Sequence, residues 1–461
     1  MEDVKMKNSK ILFKVLLIFA IFWTAMSIVY GLIYGTLGNI LPGFLQIMRT
    51  PAQCTRDMFG IGVEATYFNM SMCAFLMLII ILITKAYVTS VVVASYFLTI
   101  AFTTWGMTPL NMLPPILGVA LYSKIMKVKL GSIVQLCFFA TGVSPIVSEL
   151  MLRWPFYGGD GMPFLNPGQT NLVIQPLGVV LALVFGLLAG LAIPPLCEHT
   201  KNVHKGYNLF NAGLPAGMIC WVVVGFIFKL TNIPEPVNGP ANELDAFPFV
   251  FVCYAILFII CLFVSFMLDR NSFKNYKNIL KDSGFNSDFV EKYGVATTLA
   301  NFGFYGLFIL MFYTLMKIFF GAEICGPVAG VVWSSFTFVA AGVHPRNVFP
   351  IAIGYVVASL FSSIVFPFFG LGLAEGRLSM NSVSLLVAFA YATGLAPIVG
   401  HYGYIIGIFV TIIQFAMVTL TPRAYYFFNF YNSGMTASLA AYVSIPIIEK
   451  YFIKFKKDNK K

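Results

Sequence analysis

Apolar runs long enough to cross a bilayer follow one another along almost the whole chain, and each is bounded by Gly, Pro, Asn or charge. A bilayer core is crossed by about 20 residues of helix. Apolar residues make up 59% of the chain and charged residues 10%, whereas soluble proteins average about 25% charged residues. The sequence therefore predicts an all-α membrane protein with about 14 transmembrane or re-entrant helices. The runs fall near residues 11–34, 66–84, 87–104, 107–123, 130–149, 172–196, 208–228, 247–268, 299–319, 324–341, 345–369, 380–399, 403–421 and 428–448.

The net charge of +11 is concentrated in short basic clusters between these runs, at residues 5–14, 124–129, 274–281 and 454–461. Loops rich in Lys and Arg stay on the cytoplasmic side of a membrane. The pattern predicts a multi-pass protein of the cell membrane with both termini in the cytoplasm. It excludes a nucleic-acid partner, because no soluble domain is present to carry a basic binding face.

Four motifs of the first half return in the second half in the same order, seven candidate spans later. Because seven is odd, the second copy enters the bilayer from the opposite side, which predicts two inverted repeats. A parallel repeat would follow if one span in each half were miscounted. We expect a first transmembrane repeat at 1–230, a connecting helix and polar cytoplasmic loop at 231–298, and the remainder of the second repeat at 299–461. The motif pairs are 62–69 with 294–301, 106–111 with 342–347, 140–147 with 392–399, and 207–213 with 428–434.

The repeated residues are Asn, Thr, Gly and Pro rather than a catalytic set. Gly and Pro interrupt helices, and broken backbone in a membrane is tolerated only where it is buried in protein or lines a cavity. Interhelical packing is the alternative role for any one of these residues. The candidate pathway residues are Thr66, Asn69, Asn111, Thr141, Asn208, Asn211, Thr298, Asn301, Asn347, Thr393, Asn429 and Asn432. The candidate helix breaks are Gly106, Pro109, Pro114, Pro145, Gly342, Pro345, Pro350 and Pro397.

Two titratable groups follow the repeated Ala-Thr-Gly motif at the same offset, namely Glu149 and His401. Charged groups within a membrane cost about 2.5–3.5 kcal/mol on insertion scales, so their presence requires a reason. One interpretation is proton coupling, because His titrates near neutral pH. The other is that both are interfacial anchors, with Arg153 pairing Glu149.

The repeated motifs, together with residues 111–119 and 344–354, resemble the prokaryotic membrane family catalogued as domain of unknown function 1576. The resemblance extends from about residue 30 to 450. It implies a polytopic membrane protein but no substrate and no activity.

These features favour a secondary transporter or channel for a small solute. The alternatives are an intramembrane enzyme acting on a lipid or lipid-linked substrate, and a membrane component without transport. We expect no enzymatic activity, because the sequence has no HExxH, GxSxG or Walker-type motif. No metal and no cofactor is expected, since the eight cysteines are scattered. The expected partners are the lipid bilayer and a small solute, and self-association into a homo-oligomer is left open.

Overall fold

The computed structural model describes residues 2–154, 176–232, 244–371 and 378–452, and its regular structure in these ranges is helical, without a β-sheet. The basic cluster at 454–461 lies outside the described residues. We number the main helices α1 Glu2–Ile33, α2 Leu37–Met48, α3 Val63–Ile83, α4 Ser90–Thr103, α5 Pro109–Ile125, α6 Val134–Leu152, α7 Pro176–Val203, α8 Gly213–Lys229, α9 Phe247–Leu268, α10 Ser272–Ile279, α11 Phe289–Phe320, α12 Gly326–Ser335, α13 Pro345–Phe368, α14 Val383–Tyr402, α15 Tyr404–Val418 and α16 Asn432–Ile447.

Eight of these helices in the described ranges are long and apolar enough to cross a membrane, namely α1, α3, α6, α7, α9, α11, α13 and α14. Each of the fourteen predicted runs falls on a helix, but several of these helices are shorter than a full span. Large apolar side chains on the outer faces are exposed, as on a protein that faces lipid. The chain is therefore a multi-pass membrane protein. The short helix α2 was not predicted, and the short helix α10 lies in the polar stretch 269–292, for which the sequence allowed a loop or a surface helix.

Several contacts between helices of the first half have counterparts in the second half. Helix α1 packs on α3 as α9 packs on α11, and α5 packs on α7 as α13 packs on α15. Two corresponding pairs also touch each other, α4 with α12 and α8 with α16. At the first of these contacts Phe97 of α4 stacks on Trp333 of α12, with 6.1 Å between ring centroids. The core therefore lies where the two halves meet.

Candidate solute pathway between the two halves

Each half contains an interrupted helix pair, α4–α5 and α12–α13. Helix α5 begins at Pro109, and Gly106 in the preceding turn has a φ of 101°. Helix α13 begins at Pro345, and Gly342 before it has a φ of 141°. Only glycine adopts such values without steric cost. The chain thus leaves the helical conformation at corresponding places in the two halves.

In each half, a buried asparagine on the helix before the interrupted pair binds the turn. These helices are α3 and α11. Asn69 Nδ2 donates to the carbonyl oxygen of Met107 at 2.7 Å. Asn301 Nδ2 donates to the carbonyl oxygen of Val343 at 2.8 Å. The freed carbonyl groups at a helix interruption require such donors when water is excluded. Both amides therefore hold the turns of their own half.

The asparagine near the start of the next helix caps the same turn from the other side. Asn111 Nδ2 donates to the carbonyl oxygen of Gly106 at 2.9 Å, and Asn347 Nδ2 donates to that of Gly342 at 2.8 Å. The Oδ1 of each accepts from the backbone N–H three residues earlier at 2.9 Å. These are capping boxes, in which side chain and backbone satisfy each other. In this conformation the side-chain amides of Asn111 and Asn347 are both hydrogen-bonded to backbone groups.

The four candidate threonines are buried, and each hydroxyl donates to a carbonyl oxygen three or four residues earlier in the chain. Such bonds loosen the helical ladder locally. The donors and acceptors are Thr66 with Gly62 at 2.9 Å, Thr298 with Gly294 at 2.9 Å, Thr141 with Phe138 at 2.7 Å and Thr393 with Ala390 at 2.6 Å.

The Ala-Thr-Gly motifs bind the loop of the opposite half. The backbone N–H of Leu209 donates to the carbonyl oxygen of Gly394 at 3.0 Å, and that of Phe430 donates to Gly142 at 3.1 Å. Leu209 and Phe430 are corresponding residues, as are Gly142 and Gly394. Each half therefore supplies the acceptor that the other half uses. In both motifs these glycines lie in a 3₁₀ turn within α6 or α14.

A second reciprocal contact joins the starts of α8 and α16. Asn208 Nδ2 lies 3.1 Å from the carbonyl oxygen of Gly434, and Asn429 Nδ2 lies 3.4 Å from that of Gly213. Asn208 also donates to Ser438 Oγ at 2.8 Å. A side chain on Gly213 would collide with the Gly434 backbone, its Cβ lying 2.5 Å from the carbonyl carbon. These asparagines are the candidate residues that bind across the two halves.

Asn432 lies at a cavity of about 190 Å³ lined by residues of both halves. Its Oδ1 accepts from Thr421 Oγ1 at 2.6 Å, and its Nδ2 donates to the carbonyl oxygen of Val418 at 3.2 Å. Asn211 holds the corresponding position in the first half and is half-buried. The cavity lining includes Cys54, Thr55, Ser384, Thr419, Arg423 and Ser433.

The six candidate prolines form three pairs, of which the first, Pro109 and Pro345, begins helices α5 and α13. Pro145 and Pro397 lie two residues after the last residue of the 3₁₀ turns within α6 and α14. Contrary to the prediction, Pro114 and Pro350 lie inside helices that continue past them. A Cβ on Gly186 of α7 would lie 2.6 Å from Pro114 Cβ, so tight packing accommodates this proline within α5. Pro114 therefore marks a close helix contact instead of a break, and Pro350 lies within a continuous helix.

The structure does not bring Glu149 and His401 together. Glu149 is fully buried, and its Oε1 lies 2.5 Å from Nε of Arg153. His401 is exposed and packs among aromatic rings, with its centroid 5.5 Å from that of Tyr207. The structure contains the Glu149–Arg153 ion pair that the anchor interpretation named, and the interfacial position of either residue stays a prediction. Proton coupling stays a prediction.

Arg56 is a buried charge that the sequence reasoning missed, because the motif around it does not recur in the second half. It lies in the loop between α2 and α3 and is 6% exposed. Its guanidinium donates to the carbonyl oxygen of Pro51. Burial and repulsion from Arg153 lower the pKa of Arg56 to about 10, against the attraction of Glu149. The side chain therefore stays positive at neutral pH.

Comparison with known proteins gives the family. The sequence matches the family described as "Protein of unknown function (DUF1576)" over residues 36–229 and 268–450. The chain belongs to this family. The two matched stretches of this DUF1576 protein cover α2 to α8 and α10 to α16, which are corresponding parts of the two halves. No curated protein and no solved structure matches the chain.

Proposed function

We propose that this DUF1576 protein is a secondary transporter or channel for a small solute, with a pathway between two inverted repeats. Transport, rather than catalysis, is the proposed activity. The observation that carries the proposal is the reciprocal contact between the halves, in which Gly142 and Gly394, in the 3₁₀ turns of α6 and α14, each accept from a loop of the opposite half. Solute sites of inverted-repeat transporters lie at such a repeat interface, beside discontinuous helices.

Contacts between loops and helix ends that are far apart in the chain support an inverted orientation of the two repeats. One group of contacts joins chain segments at one membrane face, and a second group joins segments at the other. Helix α1 begins in the first group and its counterpart α9 begins in the second, so the two helices run in opposite directions. The first group contains Lys5 with Glu291, Ser9 with Val88, and Lys205 with Glu449. The second contains Leu244 with Ile324, and Cys54 with Phe427.

The interrupted pairs act as re-entrant hairpins in this proposal. Helix α4 has 14 residues, or about 21 Å of helix, against about 30 Å of hydrocarbon. The end of α3 and the loop after α5 meet at one face, because a Cβ on Gly131 would lie 2.4 Å from the carbonyl oxygen of Thr84. A hairpin adds either no crossing or two, so the number of crossings per repeat stays odd.

The basic residues orient the protein. The first group of contacts includes the basic start of α1 and Lys205, which belong on the cytoplasmic side by the positive-inside rule. We therefore propose a location in the cell membrane with both termini in the cytoplasm. A single cysteine at Asp3, in a variant without native cysteines, is expected to resist an impermeant thiol reagent added to intact cells. Strong labelling would show that the N-terminus lies outside the cell and would contradict the proposed orientation.

The cavity at Asn432 then opens outside, and Asn211 lies at the corresponding inner position. Single cysteines at these positions test the pathway. Asn432→Cys is expected to react with an impermeant thiol reagent from outside, and Asn211→Cys only from inside. Thr141→Cys is the matched control, because Thr141 is fully buried and is expected to remain unlabelled from both sides. Labelling of both asparagine positions from one side only would contradict the inverted pathway.

Flux itself is tested in proteoliposomes. The purified full chain is reconstituted, and osmotic swelling is followed with urea, glycerol, glycine and lactate as separate probes. At least one probe is expected to enter faster than into protein-free liposomes. Transport would be contradicted if all four probes entered no faster than into protein-free liposomes and the cysteine labelling pattern also failed.

The two titratable residues give a further test of mechanism. If Glu149 and His401 couple proton movement, Glu149→Gln and His401→Asn change the pH dependence of flux while expression is retained. If both are anchors, the pH dependence of both variants is that of the wild type.

A further inference from the structure

A second cavity, of about 810 Å³, lies apart from the repeat interface contacts described above. It is formed by the end of α3, the start of α4 and the segment between α5 and α6. Its lining contains two lysines and no acidic residue. The lining residues that matter here are Lys85, Tyr87, Thr89, Lys129, Ser132 and Gln135.

Lys85 and Lys129 are both exposed, and neither forms an ion pair with a residue that the structure describes. Gly131 brings their two segments together, because any side chain there would collide with the Thr84 backbone. The two ammonium groups are therefore held at one cavity by the fold, without a counter-charge from the cavity wall.

Exposed aliphatic residues neighbour the lining residues along the chain. Ile83 precedes Lys85 by two residues and is 75% exposed, and Ile125 at the end of α5 is 58% exposed. Tyr87, which lines the cavity, is exposed, and tyrosines favour the interface between membrane and water. A phospholipid has an anionic phosphate, which lysine ammonium groups can bind, and acyl chains, which pack against exposed aliphatic side chains.

The second half ends the corresponding helix without a lysine at the position of Lys85. Gly321 stands in the place of Lys85, at the end of α11, and both have left-handed φ values of 66° and 51°. Glu323 follows Gly321 by two residues, where Tyr87 follows Lys85. A non-glycine residue in this conformation is strained, so a lysine at 85 is retained at some cost.

We propose that this cavity binds an anionic phospholipid, with its phosphate between Lys85 and Lys129 and an acyl chain along Ile83 and Ile125. Basic pockets at the ends of transmembrane helices are suited to anionic headgroups. The site is independent of the proposed transport, since no candidate pathway residue lines it.

The test measures thermal stabilisation of the purified full chain in detergent micelles by added dioleoyl phosphatidylglycerol. Dioleoyl phosphatidylcholine and inorganic phosphate are the comparison probes. We expect phosphatidylglycerol to raise the melting temperature, and Lys85→Gln with Lys129→Gln to raise its half-saturating concentration at least about tenfold. Lys274→Gln with Lys277→Gln is the matched control, because both lysines are exposed and lie elsewhere. It is expected to leave the response unchanged.

Three results would overturn the proposal. The first is an equal response to phosphatidylcholine, and the second is an equal loss in the control variant. The third is a lysine-dependent response to inorganic phosphate that matches the lipid response, which would make this a site for free phosphate. If the double variant fails to fold, Lys129→Gln alone replaces it, and an unchanged response would count against the site.

Discussion

The backbone N–H of Phe430 donates to the carbonyl oxygen of Gly142 over 3.1 Å, although the two residues lie in different halves of the chain. The next residue, Tyr431, covers Gly142 so closely that a Cβ there would lie 1.8 Å from its ring. The corresponding glycine, Gly394, meets the ring of Phe210 in the same way, at 2.5 Å. Backbone contact across the halves thus depends on a missing side chain in each motif.

The first prediction concerns these glycines. Gly142→Ala and Gly394→Ala are each expected to destabilise the protein by about 1–3 kcal/mol or more, because the opposite loop must move away. The measurement is thermal unfolding of the purified protein in detergent. Gly225→Ala is the control, because a Cβ there meets no atom within 4 Å and the residue is helical. An equal effect at Gly225 would argue against the close approach.

The second prediction concerns the turns of the interrupted helices. Replacing Asn69 with Leu removes the donor to Met107 and leaves a buried carbonyl group without its partner. The expected loss is about 1–3 kcal/mol, with a lowered melting temperature. Asn301→Leu is expected to behave in the same way at Val343. Asn39→Leu serves as the control because Asn39 is exposed, and a change there as large as at Asn69 would contradict the capping role.

The third prediction concerns the buried ion pair of Glu149 and Arg153. Arg153→Met is expected to cost about 3–5 kcal/mol, because it removes the partner of a fully buried carboxylate. The double variant Glu149→Met with Arg153→Met is expected to lose less than the sum of the two single variants. Unfolding midpoints of all four proteins give this comparison. Lys5→Met is the control, since the Lys5–Glu291 pair is 62% exposed on both sides and is worth at most about 1 kcal/mol. Additive losses would contradict the pairing.

The fourth prediction is a pH dependence at Asp282, in the loop between α10 and α11. Burial acts to raise the pKa of Asp282, but hydrogen bonds from Tyr293, the Gly284 N–H and Lys292 lower it below its ordinary value of 3.8. These donors lie 2.7, 2.8 and 3.1 Å away. A lowered pKa means that the ionised group stabilises the folded state above about pH 4, and that this contribution is lost as the pH falls further.

Asp282→Asn tests this sign. The difference in melting temperature between wild type and variant is expected to be constant from about pH 8 to 5 and to shrink from about pH 4 downwards. Asp3→Asn, at an exposed position, is expected to show no such difference. A difference that grows as the pH falls would refute the assignment.

The sequence by itself determined the helical fold class, the apolar runs that form the long helices, and some of the places where helices end. The runs of apolar residues were sufficient because every spanning helix must satisfy its own backbone and face lipid. Gly106 with Pro109, and Gly342 with Pro345, were recognisable because they act on the local backbone conformation. The prolines at 114 and 350 were misjudged because both lie within continuous helices, and at Pro114 the neighbouring helix α7 packs closely.

Only the tertiary structure decided which partners the repeated residues have. Asn69 and Asn208 are the same kind of residue in the same kind of motif, yet Asn69 closes a turn in its own half and Asn208 binds the other half. That choice depends on how α8 meets α16 and on the small residues that allow the two backbones to approach. The burial of Arg56 beside Glu149 and Arg153 was likewise decided by the tertiary structure. These contacts join residues far apart in the chain, and their geometry is set by packing, which local sequence patterns do not encode.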